Sequence, residues 1–251
     1  MTAVVDKLLL ILDSIAESGD DSMSLARLSR RTGIPKTTLY RLLGDLVEPG
    51  IIDHVPDGYA LGRKLFDFGA AVPRYRQLRE LAGPYLAELA AVSGDTAHLA
   101  TLRDREVMFI DRVAGRHHIR IPTGAGSRLP AVCTALGKTL VAYGSPAVRE
   151  AIVRAGLRPR TRNTIVLPHL LARQLAEIRR DGLAREVEEF RLGVGCVAAP
   201  IFDDRGAVSA AISVSGDPAT KRTGPLARRV ATVAQQISKE FQSLQALHAL
   251  R

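Results

Sequence analysis

The sequence predicts an α+β chain: an N-terminal winged helix-turn-helix, a connecting helix, and a larger domain that mixes helices with antiparallel hairpins. Three observations predict it. The first 62 residues hold three helix-spaced apolar patterns separated by turn residues and closed by two extended runs around Pro56-Asp57-Gly58. Residues 63–79 are mostly polar, with scattered apolar positions. From about residue 81 onward, helical patterns alternate with β-like runs, and Asp203-Asp204-Arg205-Gly206 reads as a hairpin turn. The length, 251 residues, suits one or two domains, and the apolar (46%) and charged (24%) fractions exclude a wholly disordered or fibrous chain.

Taken in order, Val5, Leu8, Leu9, Leu12, Ile15 and Ala16 follow helical spacing, which predicts a helix over about 3–18, ended by Gly19-Asp20-Asp21. Ser24 is a good N-cap for a helix over 25–31 with Leu25 and Leu28 inward. Thr32-Gly33 breaks it, and Gly33 can supply the positive φ of a tight turn. Pro35 is placed like a first-turn proline, ahead of a helix over 36–48 with Leu39, Leu42, Leu43 and Leu46 on one face. Residues 51–55 and 59–61 form a small hairpin. A connecting helix over 63–79, bent at Pro73, leads to a helix over 81–93. Strands are expected at 96–102, 106–113, 118–121, 183–189, 195–202 and 207–215, and helices at 134–143, 146–155, 169–180 and 224–248.

Only Cys133 and Cys196 are present, without C-x-x-C, so neither a disulfide framework nor a thiolate zinc site is expected. Asp6 and Asp13 interrupt the first apolar segment, which is therefore no signal-peptide core. No run reaches the roughly 18 apolar residues of a spanning helix, so a cytoplasmic protein with no membrane partner is expected. The net charge is +9 and the pI about 10.1, which suggests a polyanionic partner, nucleic acid before an anionic membrane. Because 29 of the 35 basic residues are Arg, genome composition is an alternative source. The distribution decides more than the total. Residues 1–62 carry a net of −3, 63–80 a net of +3 and 81–251 a net of +9. What favours nucleic acid is the window 22–44, which holds Arg27, Arg30, Arg31, Lys36 and Arg41 and no acid.

In a helix-turn-helix the start of the third helix meets base edges and phosphates. Lys36, Thr37, Thr38, Tyr40 and Arg41 lie there, off the leucine stripe, and Arg27 lies on the preceding helix. Cationic heads and hydroxyls at those positions suit phosphate oxygens and base edges, the bland alternative being a solvated helix face. Thr134-Ala135-Leu136-Gly137-Lys138 resembles the end of a P-loop, but Val132 stands where the loop needs its first Gly. The alternatives there are a Lys138 head facing solvent or pairing an acid, or a small-ligand site at a helix start. Cys196, Ser213, Ser215 and Glu186 with His98 contain the residue types of a nucleophilic site, but no nucleophile signature surrounds them. Strand alternation places Ser213 and Ser215 on one face, better suited to pocket walls than to catalysis. His98, His117 and His118 lack metal-ligand grouping, and neither metal nor cofactor is expected.

These residues together resemble the IclR family of bacterial transcriptional regulators. Ile34-Pro35-Lys36-Thr37-Thr38-Leu39-Tyr40-Arg41-Leu42-Leu43 resembles its recognition helix, and Tyr59-Ala60-Leu61-Gly62 the end of its wing. Arg128-Leu129-Pro130, Cys133 through Lys138, Arg162-Asn163-Thr164-Ile165, Glu188-Glu189 with Gly193, Gly195 through Pro200 and Ser213-Val214-Ser215-Gly216 follow in family order. The resemblance implies a winged helix domain (1–62), a linker helix (63–79) and a GAF-like effector-binding and oligomerisation domain (80–251). It also implies homodimers or dimers of dimers on double-stranded operator DNA. By motif alignment its effector pocket falls at Ile119, Ile121, Ala135, Leu136, Glu186, Cys196, Ser213 and Ser215. Two departures stand out: Val132 replaces a common His, and Phe190-Arg191 replaces a small polar pair. The implied function is a non-enzymatic regulator, a repressor of a catabolic or metabolic operon switched by a small organic or aromatic acid. The alternatives are an activator of the same type, a metabolite enzyme fused to a winged helix, or a winged helix that contacts protein only.

Overall fold

The computed structural model describes residues 4–70, 72–117, 121, 123–221 and 224–249. The chain forms two compact units, residues 1–76 and 77–251. The first contains α1 (Val4–Ala16), α2 (Leu25–Thr32), α3 (Lys36–Val47), the hairpin β1 (Ile52–Val55) and β2 (Gly58–Leu61), and α4 (Arg63–Ala70). The Ser24 hydroxyl caps α2 by accepting from the Arg27 N–H (3.4 Å), and Gly33 ends it with φ +69°. Met23 pairs with Tyr59 through both backbone bonds (2.9 and 3.0 Å), a single β-bridge that ties the segment before α2 to the two-stranded wing. A Cβ on Gly58 would lie 2.4 Å from the Met23 carbonyl oxygen, so this pairing needs glycine. Ile11, Ile15, Met23, Leu28, Leu39, Leu43, Ile52 and Tyr59 close one apolar core.

The face of α1 differs from the sequence expectation. Ile11 and Ile15 are buried, Leu8 and Leu12 half-buried, and Val5, Leu9 and Ala16 exposed. The helix is apolar on more than one side, so periodicity alone finds Leu8, Leu12 and Ile15 but misses Ile11 and adds the exposed Val5, Leu9 and Ala16. The expected single linker helix is also two elements. Helix α4 ends at Ala70, and α5 (Pro73–Ser93) starts at Pro73 and continues through the helix expected at 81–93. Proline lacks the N–H that would bond back to the preceding turn, so it opens a helix more readily than it continues one.

The second unit is a six-stranded antiparallel sheet with helices on both faces. Its strands are β3 (Thr96–Arg103), β4 (Glu106–Val113), β5 (Arg128–Pro130), β6 (Ala184–Val187), β7 (Gly195–Phe202) and β8 (Val208–Gly216), in the order β5-β4-β3-β8-β7-β6. Besides α5 from residue 77 on, the helices are α6 (Ala135–Tyr143), α7 (Pro146–Arg154), α8 (Pro168–Asp181), the single turn α9 (Pro218–Lys221) and α10 (Gly224–Ala249). Alternation puts His98, Ala100, Glu186, Cys196, Ala198, Ala211, Ser213 and Ser215 on the face covered by α6. Val197, Ala199, Ile201, Ile212 and Val214 are buried on the other face, where α10 packs. The turn at Asp203–Gly206 is as expected, closed by the Asp203 N–H to the Ala207 carbonyl at 2.9 Å. Of the strand expected at 118–121, residues 118–120 lie outside the described residues and Ile121 is in coil; the edge strand beside β4 is β5 instead.

Candidate nucleic-acid interface and ligand pocket

Helix α3 turns Leu39, Leu42, Leu43 and Leu46 into the core and leaves Lys36, Thr37, Tyr40 and Arg41 exposed, with Thr38 half-buried. Tyr40 is 66% exposed, unusual for an aromatic side chain in a folded core unit. The acid-free window of the sequence is not acid-free in space. Arg27 pairs with Asp20, and Arg31 pairs with Glu17 at 3.0 Å. Lys36 and Arg41 make no ion pair among the described residues.

On the α6 face of the sheet, register builds the second site row by row. Glu186 lies opposite Cys196, and Cys196 opposite Ser215; in the next row Ser213 stands between Ala198 and His98. A small cavity of about 30 Å³ lies between these rows and the first turn of α6. Ile121, Leu136, Glu186, Cys196 and Ser215 line it, as do His98, Phe109, Thr123, Thr134, Phe190 and Val194. Ala135 is fully buried in the apolar cluster under α6 and does not line the cavity. Ser213 is fully buried on the same face, one row away. Ile119 lies outside the described residues. The walls missed in the sequence as pocket residues come from strand register (His98) and from loops whose path only the fold sets (Thr123, Phe190).

The titratable groups of this pocket are buried, and burial disfavours their charged forms. Glu186 Oε1 accepts from the N–H groups of Glu189 and Phe190, the second at 3.3 Å. Burial outweighs these bonds and pushes the Glu186 carboxyl up to about 7. His98 is held down at about 3, by burial first and then by the charge of Arg112. Its Nε2 lies 3.0 Å from Thr123 Oγ1, so the histidine of the supposed nucleophilic group addresses a threonine rather than Cys196 or Ser215. The Ser215 hydroxyl donates to Cys196 Sγ at 3.1 Å. The N–H groups of Ala135 and Leu136, first in α6, have no acceptor within the helix. No cationic side chain lines the cavity among the described residues.

Lys138 resolves the P-loop question. It is fully buried and pairs with Glu189, so its head neither faces solvent nor is available to a phosphate. Burial pulls the Lys138 ammonium down and Glu189 pushes it back up. The glycine before it is a packing glycine: a Cβ on Gly137 would lie 2.2 Å from the Ala131 carbonyl oxygen. The Arg162–Ile165 motif acts on the same corner. The Thr164 hydroxyl donates to the Glu189 carbonyl (2.7 Å), the Thr161 hydroxyl to the Glu188 carbonyl (2.6 Å), and Asn163 Nδ2 to the Glu188 carboxylate (3.1 Å). These bonds hold Glu188 in the left-handed region, at φ +59°, and so fix the strand end that carries Glu186. The Arg160 guanidinium carbon lies 5.9 Å from the centre of the Phe190 ring. No helix among the described residues is long and apolar enough to cross a membrane.

The family model for the IclR helix-turn-helix domain matches residues 4–56, and that for the bacterial transcriptional regulator IclR C-terminal domain matches residues 70–239. The transcriptional repressor IclR of Escherichia coli K12 is 35% identical over 211 residues, covering 82% of this chain and 77% of that protein. The transcriptional repressor AllR of Klebsiella pneumoniae is 33% identical over 217 residues, covering 85% of this chain and 79% of that protein. The crystal structure of an IclR homolog from Microbacterium hydrocarbonoxydans, complexed with 4-hydroxybenzoate, has the same fold, with a TM-score of 0.89 and 23% identity over 96% of this chain and 100% of that one. These relatives are regulators and not enzymes. With a winged helix, an antiparallel effector-type domain and two family models spanning most of its length, the chain belongs to the IclR family of bacterial transcriptional regulators.

Proposed function

We propose that this chain is a repressor of a catabolic or metabolic operon, acting in the cytoplasm, whose grip on operator DNA is switched by a small organic or aromatic acid. The cavity under α6, mostly apolar but with His98, Glu186 and Ser215 from the sheet in its wall and the Thr134-capped first turn of α6 at one side, carries this reading. The backbone N–H of Leu136, which lines the cavity, is the natural receptor for a carboxylate, since Lys138 is spent on Glu189. An acid that is itself an aromatic phenol, 4-hydroxybenzoate, is bound by the Microbacterium homolog. Ligand sites usually enclose about 300 Å³ or more, so a cavity of about 30 Å³ must open to admit such a molecule. Phe190, half-buried on the loop after Glu189, is the wall best placed to yield.

In this reading residues 1–62 form the DNA-binding domain, 63–79 the linker and 80–251 the effector and oligomerisation domain. Arg27, Lys36, Thr37, Thr38, Tyr40 and Arg41 contact the operator; Ile119, Ile121, Ala135, Leu136, Glu186, Cys196, Ser213 and Ser215 surround the effector. The exposed Val5 and Leu9 of α1 supply an apolar surface for pairing with a second copy, which sets half-site spacing. The acid switches the protein by binding the DNA-free arrangement more tightly than the DNA-bound one. Repression is supported by the names of the relatives at 33–35% identity.

A thermal-shift panel of organic and aromatic acids against the full chain finds the effector class, because a ligand of the native state raises its melting temperature. Replacing Ser213 and Ser215 together by Ala should leave DNA binding intact and abolish the response to that acid. Normal release from DNA in the double variant refutes the pocket assignment.

A further inference from the structure

One side chain of the pocket has a role that the carboxylate-receiving helix start does not explain. His98 is 2% exposed and lines the cavity. Phe109 packs against its ring edge-to-face, with 5.3 Å between centroids, and Thr123 Oγ1 lies 3.0 Å from Nε2, so the ring is fixed in orientation. The Thr123 hydroxyl also reaches the Ile121 carbonyl at 3.4 Å. A carbonyl can only accept, so the tautomer that satisfies both contacts has the Thr123 hydroxyl donating to Ile121 and Nε2–H donating to Thr123. In that tautomer Nδ1 is a bare acceptor. It is buried and has no hydrogen-bond partner among the described residues, and neither does the hydroxyl of Ser213, its neighbour across the strands. Two such atoms in adjacent strands, one of them on a residue that lines the cavity, are an unusual arrangement, because buried polar groups are nearly always paired.

We propose that His98 is a specificity-determining residue of the effector site, whose Nδ1 accepts a hydrogen bond from a hydroxyl on the ligand, so that the pocket selects a hydroxylated acid over the same acid carrying a methyl group in its place. This rests on the reading of the cavity as the effector site. Burial holds the ring at about 3, so His98 is neutral at working pH and offers a lone pair rather than a cation. A carboxylate gains nothing from that lone pair, whereas an O–H group does. A site built to bond a hydroxyl rejects the analogue that lacks it, because its own acceptor stays unpaired.

The test is calorimetric titration of the full-length protein with matched acids: 4-hydroxybenzoate against 4-methylbenzoate, 3-hydroxybenzoate against 3-methylbenzoate, and 3-hydroxypropionate against butyrate. The expected result is at least one pair whose hydroxy member binds about tenfold tighter or more. The His98→Phe protein should bind both members alike, and His98→Asn, which keeps an acceptor near the Nδ1 position, should keep part of the preference. In the unmodified protein, the nitrogen-15 resonance of His98 Nδ1 should shift on adding the hydroxy acid and not on adding its methyl partner, a readout independent of how the variants fold. Equal binding of hydroxy and methyl members overturns the role of His98 and leaves the acid effector standing, and so does a preference that survives His98→Phe unchanged. If no acid of either kind binds at millimolar concentration, the organic-acid reading falls and this inference falls with it.

Discussion

Replacing Glu186 by glutamine separates the charge of this side chain from its hydrogen bonds. The glutamine Oε1 can accept from the N–H groups of Glu189 and Phe190 as the carboxyl does. What it cannot do is ionise. Burial raises the Glu186 carboxyl from 4.5 to about 7, so between those values the native chain holds a proton that the unfolded chain has released. Stability falls with pH wherever the unfolded state binds fewer protons, so the wild-type protein loses stability as pH rises through this window. At 1.36 kcal/mol per pH unit the loss amounts to about 3 kcal/mol, absent below the unfolded value and complete above the folded one. The variant escapes it. Amide hydrogen exchange in β7 reads the unfolding of residues 77–251 alone, and intrinsic exchange rates cancel between two proteins compared at the same pH. The variant should match the wild type near pH 4.5 and exceed it by about 3 kcal/mol near pH 8. A difference that stays constant across that range means that burial does not hold the carboxyl protonated.

Two further outcomes follow from the same geometry. Lys138→Met leaves Glu189 buried without its counter-ion, which should cost about 3–5 kcal/mol in denaturant unfolding, and most of it should return in the Lys138→Met, Glu189→Leu double variant; additive losses would mean the pair does not interact. Arg41→Ala should weaken operator binding by about 1–3 kcal/mol in a fluorescence-anisotropy titration at physiological salt, and an unchanged footprint would remove α3 from the interface.

What the sequence made legible was local. The winged helix elements fall within a residue or two of their expected ends because caps and turns act on neighbouring residues: Ser24 on Arg27, Gly33 on Ser29. Alternation correctly put Ser213 and Ser215 on one face. It could not say who stands opposite them, because register is a property of the pair; Cys196 beside Ser215 and His98 beside Ser213 emerge only when β3, β7 and β8 assemble. The burial of Lys138 was invisible for the same reason. Its partner Glu189 lies 51 residues away, and no local pattern distinguishes a lysine that pairs inside from one that points to water. The strand β5 escaped because three residues carry no periodicity to read.

The basic total of the chain is a poor guide to its DNA contacts, and the ion pairs of α2 show how to count the real ones. Residues 1–62 carry a net of −3, so attraction to DNA depends on which cations are free, not on how many exist. Arg30, Lys36 and Arg41 are exposed and make no ion pair among the described residues. Arg27 and Arg31 are held by Asp20 and Glu17 in half-exposed pairs. Such pairs contribute less than about 1 kcal/mol, so a phosphate can break them, although it then leaves an unpaired carboxylate facing the polyanion. Each phosphate neutralised adds about 0.9 to the slope of log affinity against log salt. Engagement of only these three cations of α2 and α3 gives a slope of about −3 per DNA-binding unit, and recruitment of both paired arginines takes it to about −5. If the arginines do switch partners, Asp20→Asn and Glu17→Gln should strengthen binding without changing the slope. If they remain with their acids, the substitutions should steepen it by releasing two new cations. A slope that exceeds about −5 per unit in the unmodified protein would place the interface beyond α2 and α3, in the Arg-rich part of the chain that this reading assigns to the ligand.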